Sequence, residues 1–214
     1  MKKSKNHDYS MTVLSDEQIE NGEYKYLLGG GADDWERRGA FQLELMRLLG
    51  LSKNNTLLDV GCGPLRAGIH FVRFLEPGNY KGVDYNESLI RAGRHVLRQN
   101  GFADHLSRLS VIEDFDFESL GEVFDFVLCF SVLNHCSREQ QALFLKRVAS
   151  VIDAGSRVIV THGKFYQPEA FPDTQLRLVR SYHSDKDISP TLNIEEWFDS
   201  GKRNRFPILE FRLG

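Results

Sequence analysis

From Thr56 onward, short apolar runs alternate with stretches whose apolar residues recur at helical spacing, and this alternation limits the possible folds more than any other feature. A strand followed by a helix before the next strand returns in the same direction. The pattern therefore predicts βαβ units and a mostly parallel sheet covered on both faces, a three-layer α/β sandwich. Strands are expected at Thr56–Val60, Tyr80–Val83, Leu109–Ile112, Phe124–Phe130 and Arg157–Thr161. Between them, one helix should run from Leu65 to Leu75 and stop at Glu76-Pro77-Gly78. A second should follow an Asn86 cap from Glu87 to Gln99 and close at Asn100-Gly101. Ser137 and Gln140 read as a capping box opening a third, with Leu143, Phe144, Val148 and Val151 inward and its end at Asp153-Ala154-Gly155.

The flanks are less periodic. Residues 1–14 are polar, Ser15 to Asn21 reads as a short amphipathic piece, and Gly29-Gly30-Gly31 reads as a hinge. Residues 1–32 are therefore expected to form an arm or lid, and residues 33–214 a single domain. Asp33 or Asp34 should cap a helix that buries Phe41, Leu45, Leu48 and Leu49 and ends near Gly50. At the far end, Gln175–Tyr182 and Pro207–Leu213 alternate like strands and Ile194–Asp199 like a short helix.

Composition narrows the class. At 214 residues the chain suits one core of the usual size, about 100–200 residues. Its 41% hydrophobic and 27% charged residues are those of a globular domain, and no apolar run approaches the roughly 20 residues that span a bilayer. The basic start is followed by polar residues where a secretory signal needs an apolar segment. Cys62, Cys129 and Cys136 are an odd set without a CxxC pair, which suits reduced thiols and a cytoplasmic protein. A net charge of −3 exerts no global pull on nucleic acid or acidic lipid, so a small-molecule partner is expected, with no DNA, no membrane, RNA disfavoured, and a monomer or homodimer.

The chemistry concentrates at strand ends. Asp59-Val60-Gly61-Cys62-Gly63 closes the first strand and leads into a helix, placing small residues where backbone must approach a ligand closely; a tight turn that binds nothing is the other reading. The second strand ends at Asp84, whose carboxylate can accept from both hydroxyls of a ribose, or can simply favour the following helix N-terminus. The third ends at Glu113-Asp114-Phe115, offering a carboxylate for an adenine amine and a ring for its face, or a solvated loop acid. A dinucleotide fingerprint needs a third glycine where Arg66 stands, and there is no G-x-x-x-x-G-K-[ST], so NAD and nucleoside triphosphates are disfavoured.

Leu57–Gly63, Gly82-Val83-Asp84, Asp114, Phe124–His135 and Val151–Thr161 resemble the successive motifs of class I S-adenosylmethionine-dependent methyltransferases, over about residues 56–162. The resemblance implies a Rossmann-like sheet of six to seven strands and S-adenosyl-L-methionine as cofactor. It implies that Asp59, Gly61 and Gly63 surround the methionine moiety, Asp84 holds the ribose, and Asp114 with Phe115 meets the adenine. Cys62 in the turn, Tyr85 beside Asp84 and Ser131 after the fourth strand join the expected cofactor-binding residues. Arg37, Arg38 and Arg66 are candidates for the cofactor carboxylate, against the reading that they are solvated helix charges. Two features depart from the family pattern. Pro64 and Leu65 occupy the turn where many members carry a further glycine, and of the family's closing helix and two strands only Ile194–Asp199 and Pro207–Leu213 can be placed, so either Gln175–Tyr182 substitutes for the other strand or the sheet is truncated.

The resemblance also places His135 where related small-molecule enzymes present a side chain to the acceptor. Its reference pKa near neutrality suits a general base or an orienting group, although a histidine satisfying backbone at a helix entrance reads equally well. His162 is the second catalytic candidate. Tyr24, Tyr26 and Trp35 flank the triple glycine as a lid over the acceptor or as ordinary packing. There is no [DNS]-P-P-[YFW] and no Pro-Cys pair for base methylation. Phe130 and Ser131 stand where catechol-type enzymes place a metal-binding aspartate, so no metal is expected. The expected activity is methyl transfer to an oxygen or nitrogen of a small molecule. A catalytically silent nucleoside-binding subunit and a nicotinamide oxidoreductase are its rivals.

Overall fold

A computed structural model describes residues 13–27, 32–161, 175–182 and 208–214. The triple glycine, His162 and the expected helix Ile194–Asp199 lie outside the described residues. Seven strands form one sheet: β1 (Leu57–Val60), β2 (Tyr80–Asp84), β3 (Leu109–Val111), β4 (Phe126–Cys129), β5 (Arg157–Thr161), β6 (Leu176–Tyr182) and β7 (Ile208–Leu213). Their order is β3-β2-β1-β4-β5-β7-β6. β1 lies parallel to both β2 and β4, β3 and β5 continue the parallel set outward, and β7 inserts antiparallel between β5 and β6. The Gln175–Tyr182 stretch thus supplies a strand of the sheet, β6, beside β7.

Strand order reverses at the β1/β4 boundary, so the carboxyl ends of β1, β2 and β4 open a crevice there, the usual ligand position in such sheets. The central strands are buried along their whole length, which is why they read as continuous apolar runs. Side chains alternate between faces. Leu57, Tyr80, Leu128 and Ile159 pack beneath helices α3 (Ala32–Leu48), α4 (Gly68–Phe74) and α5 (Glu87–Gln99), and Leu58, Val83, Val127 and Val158 beneath α6 (Arg138–Arg147).

The helix signals were local and they work locally. The Asn86 amide oxygen accepts from the Ser88 and Leu89 N–H groups at 2.9 and 3.2 Å, and Ser137 and Gln140 form the reciprocal capping box. α6 tightens to a 3-10 turn after Arg147, and Leu143 is only half-buried. Three expectations need correction. α4 starts at Gly68 because Leu65 adopts φ +62, a left-handed conformation that helix cannot contain. In α3 the buried face is Trp35, Phe41, Gln42, Leu45 and Met46, while Leu48 is 38% exposed. The Asp34 carboxylate pairs with Arg37 and Arg38 along α3 and does not cap it.

The described arm is docked. α1 (Asp16–Glu20) and α2 (Tyr24–Leu27) lie on the α3/α5 side: the Leu14 N–H donates to Ser88 Oγ at 2.7 Å, Asp16 pairs with Arg91, and Leu14 and Ile19 are buried. Tyr24 packs edge-on to Trp35, ring centroids 5.6 Å apart, so both are core, and Tyr26 alone of the three aromatics is exposed. No helix among the described residues is long and apolar enough to cross a membrane.

Candidate cofactor and active site

The first strand leaves the sheet through Gly61 at φ +73, Cys62, and Gly63 at φ +52. The Gly61 and Cys62 N–H groups both donate to the Val83 carbonyl, at 2.8 and 3.0 Å, which fastens the turn to β2. A Cβ on Gly61 would stand 2.3 Å from Val132 Cγ2, so glycine is required here by the segment after β4 as well as by its φ. The Cys62 side chain turns into the core against β2; a Cβ on Gly82 would lie 3.0 Å from its Sγ. Burial pushes its thiol pKa well up, so Cys62 can border a ligand only through its backbone.

Two carboxylates floor this turn. Asp84 Oδ2 accepts from the Gly63 N–H at 3.0 Å and Oδ1 from the Asn86 N–H at 2.9 Å. Asp59 Oδ2 accepts from the Tyr80 hydroxyl at 2.8 Å. Both side chains are buried. Burial raises the Asp59 pKa to about 7 against the lowering hydrogen bond from Tyr80, with the Asp84 charge adding to the rise. Burial likewise raises Asp84, opposed by the N–H groups of Asn86, Gly63 and Tyr85. Among the described residues no cation pairs with either carboxylate. A ligand that brings positive charge would suit this floor.

The third strand end is strained. Asp114 and Phe115 follow one another in the left-handed region, at φ +49 and +56, a cost of about 1–3 kcal/mol per residue that neighbouring contacts must hold. Arg147 Nη1 donates to the Asp114 carbonyl at 2.9 Å, and the Phe115 ring packs on Phe117 and Phe144, centroids 5.9 and 5.4 Å away. The Asp114 side chain is left exposed and the Phe115 ring half-buried, and Tyr85 beside Asp84 is half exposed.

At the fourth strand end Ser131 takes φ +58, and its N–H donates to Thr161 Oγ1 of β5 at 2.7 Å. Val132 then crosses Gly61 and begins the 3-10 turn Leu133–His135, with the His135 N–H on the Val132 carbonyl at 2.9 Å. His135 is thus carried one turn away from the glycine loop. Burial holds its imidazole pKa below the usual value, and its Nε2 lies 3.1 Å from the Asn134 amide nitrogen. The backbone carbonyls at this helix entrance, Leu133 and Cys136, accept from Gln141 Nε2.

The arginines divide. Arg37 is turned onto Asp34 of its own helix at 2.6 Å with half of its side chain exposed, and Arg38 meets the same carboxylate at 3.3 Å. Arg66 stays beside the turn, its guanidinium over the Trp35 ring at 5.9 Å and its carbonyl 2.1 Å from where a Gly39 Cβ would stand. Sequence reasoning missed Tyr80, read only as a strand start, and Val132. Glycines at 68 and 82, both cleared around the Tyr80 hydroxyl, were the available signal, but nothing local links them to it. No group of three or more His, Cys, Asp or Glu among the described residues is placed to hold a metal.

Residues 51–200 match the methyltransferase-domain family. The chain belongs to that family. The fold is the class I, Rossmann-like one, and it is shared with solved methyltransferases. An S-adenosylmethionine-dependent methyltransferase from Clostridium acetobutylicum superposes with a TM-score of 0.63 at 12% identity, over 94% of this chain and 100% of that one. Magnesium protoporphyrin IX methyltransferase (ChlM) from Synechocystis, solved with bound SAM, gives 0.59 at 18%, over 95% and 99%. TrmN from Thermus thermophilus gives 0.56 at 14%, over 80% and 48%. At such identities the likeness is one of fold. A curated relative, protein MJ0906 of Methanocaldococcus jannaschii, is 24% identical over 151 residues, 65% of this chain and 39% of that one. The chain therefore spans about two-fifths of that relative's length.

Proposed function

We propose that this methyltransferase-family chain transfers a methyl group from S-adenosylmethionine to an oxygen or nitrogen of a small-molecule acceptor, without a metal. The observation that carries the cofactor assignment is the pair of buried carboxylates, Asp59 and Asp84, with no cation paired to them among the described residues. A dinucleotide would bring a pyrophosphate to this floor and add negative charge to two buried acids. A sulfonium nucleoside with an ammonium tail brings the charge the floor lacks.

Bound there, the sulfonium supplies a methyl carbon for in-line displacement by an acceptor lone pair, the carbon–sulfur electrons returning to sulfur. Gly61 and Gly63 leave room for close approach of the methionine portion. Asp84 uses part of its acceptor capacity on backbone N–H groups and retains lone pairs for ribose hydroxyls. Asp114 and Phe115 border the adenine, held in place by Arg147 and Phe144. His135, whose imidazole pKa desolvation holds below its usual value, takes the proton of an acceptor hydroxyl or amine, exchanging the Asn134 amide for it at Nε2. His162, directly after β5, is the second candidate for that role. Phe130 and Ser131 at the β4 end supply no carboxylate for a metal cage, which supports the metal-free reading.

The test is binding first and turnover second. S-adenosylmethionine and S-adenosylhomocysteine should raise the melting temperature, a ligand at a hundredfold its Kd adding about 2.7 kcal/mol, while NADH leaves it unchanged. Release of S-adenosylhomocysteine with a panel of phenols, amines and carboxylates then identifies the acceptor. A shift with NADH alone overturns the cofactor assignment, and cofactor binding without turnover on any acceptor, macromolecules included, leaves a silent binding subunit.

A further inference from the structure

Among the described residues, Tyr80 is the side chain that donates a hydrogen bond to Asp59. Its ring stacks on Phe71, centroids 6.2 Å apart and 18° between planes, and its hydroxyl occupies space that two glycines leave open. A Cβ on Gly68 would stand 2.3 Å from that oxygen, and one on Gly82 2.9 Å. The hydroxyl is held between β1, β2 and the start of α4 and points at Asp59 Oδ2. Burial drives the phenol pKa well above its usual value, so Tyr80 remains a donor throughout the physiological range. Among the described residues, the other titratable groups that face Asp59 are Asp84 on β2, Cys62 in the turn and Cys129 on β4, and none of these brings positive charge.

We propose that Tyr80 is a positioning residue that draws the Asp59 carboxyl toward its ionised form, and that the charge so held shifts the relative affinity of the site toward the sulfonium cofactor and away from its uncharged thioether product. This rests on the cofactor reading above. S-Adenosylmethionine and S-adenosylhomocysteine share the ribose, the adenine and the ammonium, and differ at sulfur by one methyl group and one positive charge. An ionised acid beside the methionine portion attracts the sulfonium more than the thioether, and methyl transfer cancels that added attraction as product forms. Asp59 titrates at about 7, so its charge, and with it the preference, is poised within the working pH range.

The experiment is calorimetric Kd measurement for both ligands from roughly pH 6 to roughly pH 9, on wild type and on Tyr80→Phe. In wild type the preference for S-adenosylmethionine should grow as pH rises through about 7. A hydrogen bond to a charged acceptor is strong enough to move a titration by about one or two on the pH scale. Losing it takes the ionised fraction at pH 7 from about half to about a tenth or less, so Tyr80→Phe should bind S-adenosylmethionine about fivefold more weakly or worse at pH 7. S-Adenosylhomocysteine, which keeps the ammonium, should weaken by a smaller factor than S-adenosylmethionine, and raising the pH should restore the ratio. Asp59→Asn should show a preference that no longer varies with pH, which tests the proposal should Tyr80→Phe fold poorly. Equal weakening of both ligands at every pH would make Tyr80 mere packing and overturn the proposal. A wild type that binds both ligands with a pH-independent ratio also overturns it, leaving the cofactor reading intact, whereas a wild type that binds neither defeats that reading.

Discussion

Replacing Asp59 by asparagine should stabilise the ligand-free protein, and by an amount that depends on pH. The folded chain raises this carboxyl from 3.8 to about 7, so between those values the folded state holds a proton that the unfolded state has released. A raised acid contributes stability that is fully present below its unfolded value and is lost as pH rises through the folded one. At pH 8 the accumulated loss is on the order of 4 kcal/mol, and at pH 5 it is still under about 2 kcal/mol. Asparagine carries no such term. Any fixed cost of seating the amide against Tyr80 is the same at both pH values and cancels in the comparison. The gain from Asp59→Asn at pH 8 should therefore exceed the gain at pH 5 by about 2–3 kcal/mol. In urea that is a midpoint separation of about 1 M for a slope of about 2–3 kcal/mol per molar. Paired urea titrations followed by circular dichroism, with unchanged slopes, supply the measurement. Equal effects at the two pH values, or a larger gain in acid, would refute the claim that Asp59 is a buried carboxylate without a cation.

Gly61→Ala should cost about 2–4 kcal/mol, since φ +73 and a 2.3 Å approach to Val132 oppose the new methyl together. Adding Val132→Ala should recover the steric share and leave the backbone share, and a neutral single variant in chemical denaturation would disprove the clash. His135→Ala should lower kcat about 10²–10⁴-fold with S-adenosylhomocysteine affinity unchanged. The wild-type rate should fall as acid protonates His135 below its ordinary 6.5, a limb the variant's pH profile should lack; normal turnover on the true acceptor removes His135 from the mechanism. Glu210→Ala should cost about 3–5 kcal/mol, because Glu210 is buried and accepts two hydrogen bonds from the largely buried Arg157 at 2.8 Å and one from Tyr182 at 3.1 Å. Glu210→Gln should cost less, and thermal melts that rank the two in the opposite order would contradict this account.

What the sequence by itself determined was whatever depends on neighbours a few residues apart. The βα alternation, the Asn86 cap, the Ser137–Gln140 box and the Asp59-to-Gly63 turn all rest on spacings within one turn or one strand, and each is in place. The strand ends that carry Asp59, Asp84, Asp114 and His135 follow from the same local reading, because a parallel sheet brings its carboxyl ends together. The start of α4 was misjudged because Leu65 is held left-handed by packing that its own segment does not reveal. Only the tertiary structure decided how the site is charged. Tyr80 reaches Asp59 from the neighbouring strand, Val132 occupies the space that forbids a side chain at Gly61, and Arg37 pairs with Asp34. β7 enters between β5 and β6, where Glu210 of β7 meets Arg157 of β5. Such pairings join residues far apart in the chain, and whether a carboxylate has a cation beside it depends on distances of a few ångströms that no local spacing encodes.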